Sequence, residues 1–135
     1  MTFEIKGWCP GALRPMMSGD GLVVRVRPHA GRFSAAQASG VAQAAREYGS
    51  GQIDLSSRAN LQLRGVRPES HGALLSALAA LGLLDPDALA ESRRNIVVSP
   101  FWSEKGLERI LAEELETALA SSNIVLPGKF GFAID

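Results

Sequence analysis

Residues 56–65 read SSRANLQLRG, and the alternation in this stretch decides the fold. With a period of two, Ala59, Leu61 and Leu63 fall on one side, and Ser56, Arg58, Asn60, Gln62 and Arg64 on the other. Successive side chains of a strand point to opposite faces of a sheet, so this is the pattern of a half-buried β-strand. Its polar face carries guanidinium and carboxamide donors. Such a face either meets only water or forms the floor of a site for a ligand with several carboxylates.

Working upstream, GLVVRVRP at 21–28 alternates in the same way. Leu22, Val24 and Val26 share one face and Val23, Arg25 and Arg27 the other, and Pro28 ends the run because it cannot donate to a continuing ladder. Ser34 and Gln37 form a capping-box pattern, which predicts a helix with Ala38, Val41, Ala45 and Tyr48 on its inner side and Gly49 at its end. GQIDLS and NLQLRG are the next strands, separated by the Ser57–Arg58–Ala59 region. A second helix is predicted over about 69–81, with Leu74, Leu75, Leu78 and Leu81 inward and Gly82 as its stop. Strand, helix, strand, strand, helix is the order of most of a ferredoxin-like α+β unit. The expected organisation is therefore an irregular arm over 1–20 and a ferredoxin-like half domain over 21–84.

Residues 85–135 read as a connector and the first part of a second α+β domain. Asp85 is expected to cap a short helical turn with Pro86 in its first position. NIVVS is a short strand, and Ser103 is expected to open an amphipathic helix with Leu107, Ile110, Leu111, Leu115 and Leu119 in register. The glutamates of LAEELE read as the wet side of that helix, and IVLPGKFGFAID begins another strand.

Composition narrows the function. Hydrophobic residues make up 46% of the 135, enough for a core, and fourteen basic residues balance fourteen acidic ones. A neutral chain has no bulk attraction for nucleic acid or an anionic membrane, so any anion site is local. No apolar run approaches the roughly 18–20 residues of a spanning helix, and no secretory signal is visible at the N-terminus. The single Cys9 has no internal disulfide partner, which fits a cytoplasmic address. With one cysteine and two histidines, His29 and His71, a self-contained zinc or iron–sulfur site is not expected.

The remaining chemistry is cationic. Arg25 and Arg27 on one strand and Arg58 and Arg64 on the next lie opposite an apolar face, with Asn60 and Gln62 beside them. Arginine offers a planar fork of donors that matches carboxylates and small oxyanions. A solvated outer face is common in antiparallel sheets, so pattern alone leaves both readings open. No nucleophile elbow or phosphate loop is present.

VVRVRP, SSRANLQLRG, RRN and LPGKFG, in that order, resemble the N-terminal half of the siroheme-dependent sulfite and nitrite reductase family. The leader CPGALRPMMSGDGLVVRV is similar to the precorrin-3B synthase branch of that family. The resemblance implies that Arg25, Arg94 and Lys129 are the catalytic anion contacts, and that Arg58 and Gln62, with Asn60 and Arg64 on the same face, lie against a carboxylate-rich tetrapyrrole. Four positions depart from the reductases. Gly131 stands where a second lysine is usual, Asp54 replaces an arginine that helps hold siroheme, and Ala59 and Leu61 replace a glutamine and an aromatic. These changes fit a relative that takes a tetrapyrrole as substrate.

The implied reaction is oxygen-dependent hydroxylation of precorrin-3A in aerobic cobalamin biosynthesis. A 4Fe-4S cluster supplies electrons and a non-haem iron activates oxygen in the full-length enzymes, the cluster being held by spaced cysteines of a C-terminal half. This chain carries no such set, so it is expected to bind no cofactor alone and to be inactive alone. A homodimer of the chain is expected in place of the missing half.

Overall fold

The computed structural model describes residues 10–127 and 130–135. Cys9 and Lys129 lie outside the described residues. Among the described residues six strands and four helices follow in the order β1 (Met16–Ser18), β2 (Gly21–Val26), α1 (Ala35–Tyr48), β3 (Ile53–Leu55), β4 (Leu61–Val66), α2 (His71–Ala80), α3 (Ala88–Arg93), β5 (Ile96–Val98), α4 (Leu107–Ala120) and β6 (Phe132–Ile134). Short 3-10 turns occupy His29–Gly31 and Pro68–Ser70.

The first four strands form one antiparallel sheet in the order β1-β2-β4-β3. Val24 and Val26 of β2 and Leu63 and Val66 of β4 are fully buried against Val41, Ala44 and Ala45 of α1 and Leu74 and Leu78 of α2. Both helices thus cover one face of the sheet, as the alternation in β2 and β4 requires. The α+β class and the ferredoxin-like half domain are as expected. Ser34 caps α1 through the predicted box: Gln37 N donates to Ser34 Oγ and Ser34 N to Gln37 Oε1.

Four local expectations are corrected. Met16–Ser18 is a strand, not irregular arm: it pairs with Gly21–Val23 through the Gly19–Asp20 turn and takes one edge of the sheet. The alternation runs from Ser56, but the strand expected from Asn60 begins at Leu61, because residues 56–60 close a turn in which Ala59 is left-handed (φ 56°) and Ser56 N donates to Asn60 O. Asp87, not Asp85, caps α3, its carboxylate accepting from Ala90 N. In α1 it is Ala44 rather than Ala38 that is buried.

Beyond the half domain, β5 and β6 pair in parallel, and α4 is the crossover that a parallel pair needs. Val98, Trp102 and Ala112 form the small core of this unit, with Ala30, Ile96 and Ile134 packed on it. Residues 103–106 make a turn, so α4 starts at Leu107 rather than at Ser103. Its buried side is Ala112 and Leu119, whereas Leu107, Ile110 and Leu111 are exposed. The unit is fastened to the end of β2. Trp102 Nε1 donates to Ala30 O at 2.9 Å, and Arg32 stacks over the Trp102 ring while donating to the carbonyls of Pro100 and Trp102.

Candidate functional site

A cleft of ≈ 140 Å³ opens where β2 ends, the 56–60 turn closes, and the chain passes from α3 into β5. Arg27, Arg58, Asn60 and Arg94 supply its polar wall, and Ile96 and Phe130 its apolar one. Arg58 reaches it from the turn rather than from a strand, which the left-handed Ala59 makes possible. Asn60 is buried, held by a hydrogen bond from Ser56 Oγ to its Oδ1.

Arg94 is the most constrained of these groups. Its Nε and Nη2 donate to the two carboxylate oxygens of Asp85 at 3.0 and 3.1 Å, and Nη2 also donates to Arg27 O at 2.8 Å. Its Nη1 lies 3.8 Å from Glu116 Oε1. Glu116 in turn accepts from Ala30 N at 3.2 Å and pairs with His29 Nδ1 at 2.7 Å. Asp85 therefore serves as the partner of Arg94 rather than as a helix cap. Glu116 is not part of a wet face, as the glutamate run suggested, but is half-buried against the site.

Arg27 is 8% exposed; its Nη1 donates to Glu91 O, while its buried Nε has no hydrogen-bond partner among the described residues. Burial pushes its guanidinium down from the usual range, opposed by the nearby Glu91 carboxylate. Burial also pushes the Glu91 carboxyl up, although the backbone amides of Leu13 and Ala12 and the charge of Arg27 work against it. For Glu116 burial is again the largest influence and acts upward. The His29 bond and charge, the Ala30 amide and Arg94 together outweigh it and hold the carboxyl below its ordinary value.

The structure brings Arg58, Asn60 and Arg94 to one cleft. Arg25 and Gln62 stay together on the sheet, facing each other across β2 and β4, with Arg25 buried and outside the cleft lining. Arg64 is drawn to acids: Nε and Nη2 reach Asp20 at 3.3 Å, and Nε is 3.8 Å from Asp54. Lys129 lies outside the described residues; Phe130 and Gly131, which follow it in the sequence, line the cleft. Arg27 was legible as a strand arginine but not as a site residue. Glu116 shares its helix face with Ala112 and Leu119, and that spacing was the signal that could have found it.

A cluster bound by four cysteinates does not fit a chain with one cysteine, Cys9. Among the described residues no three His, Cys, Asp or Glu side chains are grouped to hold a metal ion. Nor, among the described residues, is any helix long and apolar enough to cross a membrane.

Residues 14–81 match the model of the nitrite/sulfite reductase ferredoxin-like half domain. Among curated proteins, a precorrin-3B synthase from Sinorhizobium sp is 37% identical over 103 residues, covering 65% of this chain and 22% of that protein. A ferredoxin–nitrite reductase from Synechococcus elongatus is 31% identical over 134 residues, covering 90% of this chain and 26% of that protein. The chain spans about a quarter of the length of these relatives. Half of it is the matched half domain, whose β-β-α-β-β-α order and arginine-bearing sheet are those described above, so the chain belongs to the nitrite/sulfite reductase ferredoxin-like family.

Proposed function

We propose that this chain is the tetrapyrrole-binding part of a precorrin-3B synthase, an oxygen-dependent monooxygenase acting on precorrin-3A in the cytoplasm, and that it binds but does not turn over substrate alone. The observation that carries this reading is the cleft itself. Arg27, Arg58, Arg94 and the buried Asn60 line it together, and Gly131, also in its lining, stands by the resemblance where the reductases carry a second lysine. Nothing in the backbone forces that glycine: a Cβ built on it comes no nearer than 3.4 Å to Asn95 O, and its φ is not in the left-handed range. The missing cation is thus a matter of chemistry, and it lowers the positive charge available to sulfite or nitrite. Asp54, bonded by Gln52 and near Arg64, removes further positive charge from the sheet face.

In this reading the arginines fix the orientation of a macrocycle through its carboxylate arms, since bidentate, partly desolvated guanidinium–carboxylate pairs set direction as well as affinity. The Synechococcus relative matches more of the chain, which favours a second reading as part of a siroheme-type nitrite reductase. Gly131 and Asp54 weigh against it.

The test is a fluorescence titration of the chain with uroporphyrin III, an octacarboxylic tetrapyrrole, alongside nitrite. Arg58→Ala is the informative variant because Arg58 is exposed and its loss leaves the core intact. Binding is expected to weaken by about 1.5–3 kcal/mol, the scale of a hydrogen bond to a charged group. Unchanged affinity in Arg58→Ala would return the polar face to the role of a solvated surface. Binding of nitrite but not of the porphyrin would support the reductase reading.

A further inference from the structure

We propose that Glu116 is a positioning residue for Arg94, and that protonation of His29 switches how much of the Arg94 charge reaches the cleft. The proposal rests on the reading of the cleft as a carboxylate site and adds a control to it.

The geometry supplies a short chain of charges. His29 Nδ1 meets Glu116 Oε2 at 2.7 Å, and Glu116 Oε1 faces Arg94 Nη1 at 3.8 Å. Asp85 binds the other edge of the same guanidinium, and Arg94 lines the cleft. Arg94 therefore sits between two carboxylates held on different elements, one before α3 and one on α4. With His29 neutral, the group formed by Asp85, Glu116 and Arg94 carries one net negative charge. With His29 protonated the imidazolium offsets Glu116, and the balance returns to zero. An anion entering the cleft meets less repulsion in the second state.

His29 is suited to this part because its side chain is 49% exposed and can exchange a proton with solvent, while Glu116 is 15% exposed and passes the charge inward. Other charged groups lie around the pair: the buried Arg93 of α3 donates to Leu89 O and to Ser122 O just beyond α4. Arg27 lies behind Arg94 with Glu91 beside it. On α4, Glu113 is bound to Arg109 on the outer side. Arg32 is held on Trp102. The strands β5 and β6 carry no titratable side chain.

The direct readout is the Arg94 Nε–Hε resonance followed by NMR from pH 5.5 to 8.5, which needs no ligand. In the unmodified chain it is expected to inflect with the His29 ring, and the inflection is expected to vanish in His29→Gln and in Glu116→Gln. In parallel, uroporphyrin III affinity should fall about two- to fivefold as pH rises across that same inflection, and stay flat in His29→Gln. A purely structural Glu116 would leave the Arg94 resonance featureless through the His29 titration, and that result overturns the proposal. So does an inflection that persists in His29→Gln. If the inflection is present and the porphyrin fails to bind at any pH, the link stands and the tetrapyrrole reading falls.

Discussion

At the scale of single residues, two positions show how much depends on backbone rather than side chain. Gly65 adopts φ 62° at the bulge where β4 gains a residue on β2, and a Cβ placed there would sit 2.8 Å from Ser50 Cβ. Gly65→Ala combines left-handed strain with a clash, so a loss of about 1–3 kcal/mol is expected in urea unfolding. A change within a few tenths would mean that the bulge relaxes. Ala59 occupies a similar left-handed position with a side chain, and the turn it completes is what carries Arg58 into the cleft. The alternation of SSRANLQLRG correctly read Leu61 and Leu63 as inward. Over Ser56–Asn60 the same alternation marks no strand, since a period-two pattern and a five-residue turn look alike when polar residues fill the turn, and only the break at Ser57–Ala59 between the two expected strands pointed to it.

Among the elements, α4 departs furthest from its pattern. A continuous leucine face was expected inward, yet the helix leans on Ala112, Glu116 and Leu119 and leaves Leu107, Ile110 and Leu111 exposed at 65%, 43% and 42%. The small side chain of Ala112 permits the close approach to Trp102 and Val98. An apolar stripe of this kind favours association. We propose that the isolated chain forms a homodimer through it, so light scattering is expected to give twice the monomer mass and Leu107→Glu with Leu111→Glu to halve it. A monomer at millimolar concentration in the unmodified chain would count against the dimer. The double variant should change the stability of the monomer little, because both side chains face water in the single chain.

For the whole molecule, the two units are joined by the contacts of Ala30 and Arg32 with Trp102 and by the ion pairs around Arg94 and Glu116, and the latter make stability pH-dependent. The Glu116 carboxyl is held below its ordinary value in the folded state, so its contribution is present above the ordinary carboxylate range and lost as pH falls through the depressed value. Thermal unfolding should therefore show the gap between the unmodified chain and Glu116→Gln at neutral pH, closing below about pH 4. Glu91 acts with the opposite sign: its raised value means that folding is favoured less as pH rises through its titration. A gap that persists unchanged into acid would show that Glu116 stabilises through shape, not charge. Arg94→Ala is a poor probe of binding for the same reason, since it leaves Asp85 and Glu116 as partly buried carboxylates without their common partner, at a cost of about 3–5 kcal/mol.

Local rules determined the half domain. The capping box at Ser34, the alternation in β2 and β4, and the leucine spacing of α2 each name a face, and together they allow one way of burying it. The motifs around Arg25, Arg58 and Arg94 likewise carried the family in the sequence. Which arginines meet was decided only by tertiary structure. Arg27 rather than Arg25 turns into the cleft, Arg64 is held by Asp20, and Asp85 and Glu116 close on Arg94 from positions 9 and 22 residues away in the chain. Charge pairing of this kind is set by distances between elements, and a linear pattern records only the neighbours along the strand or helix.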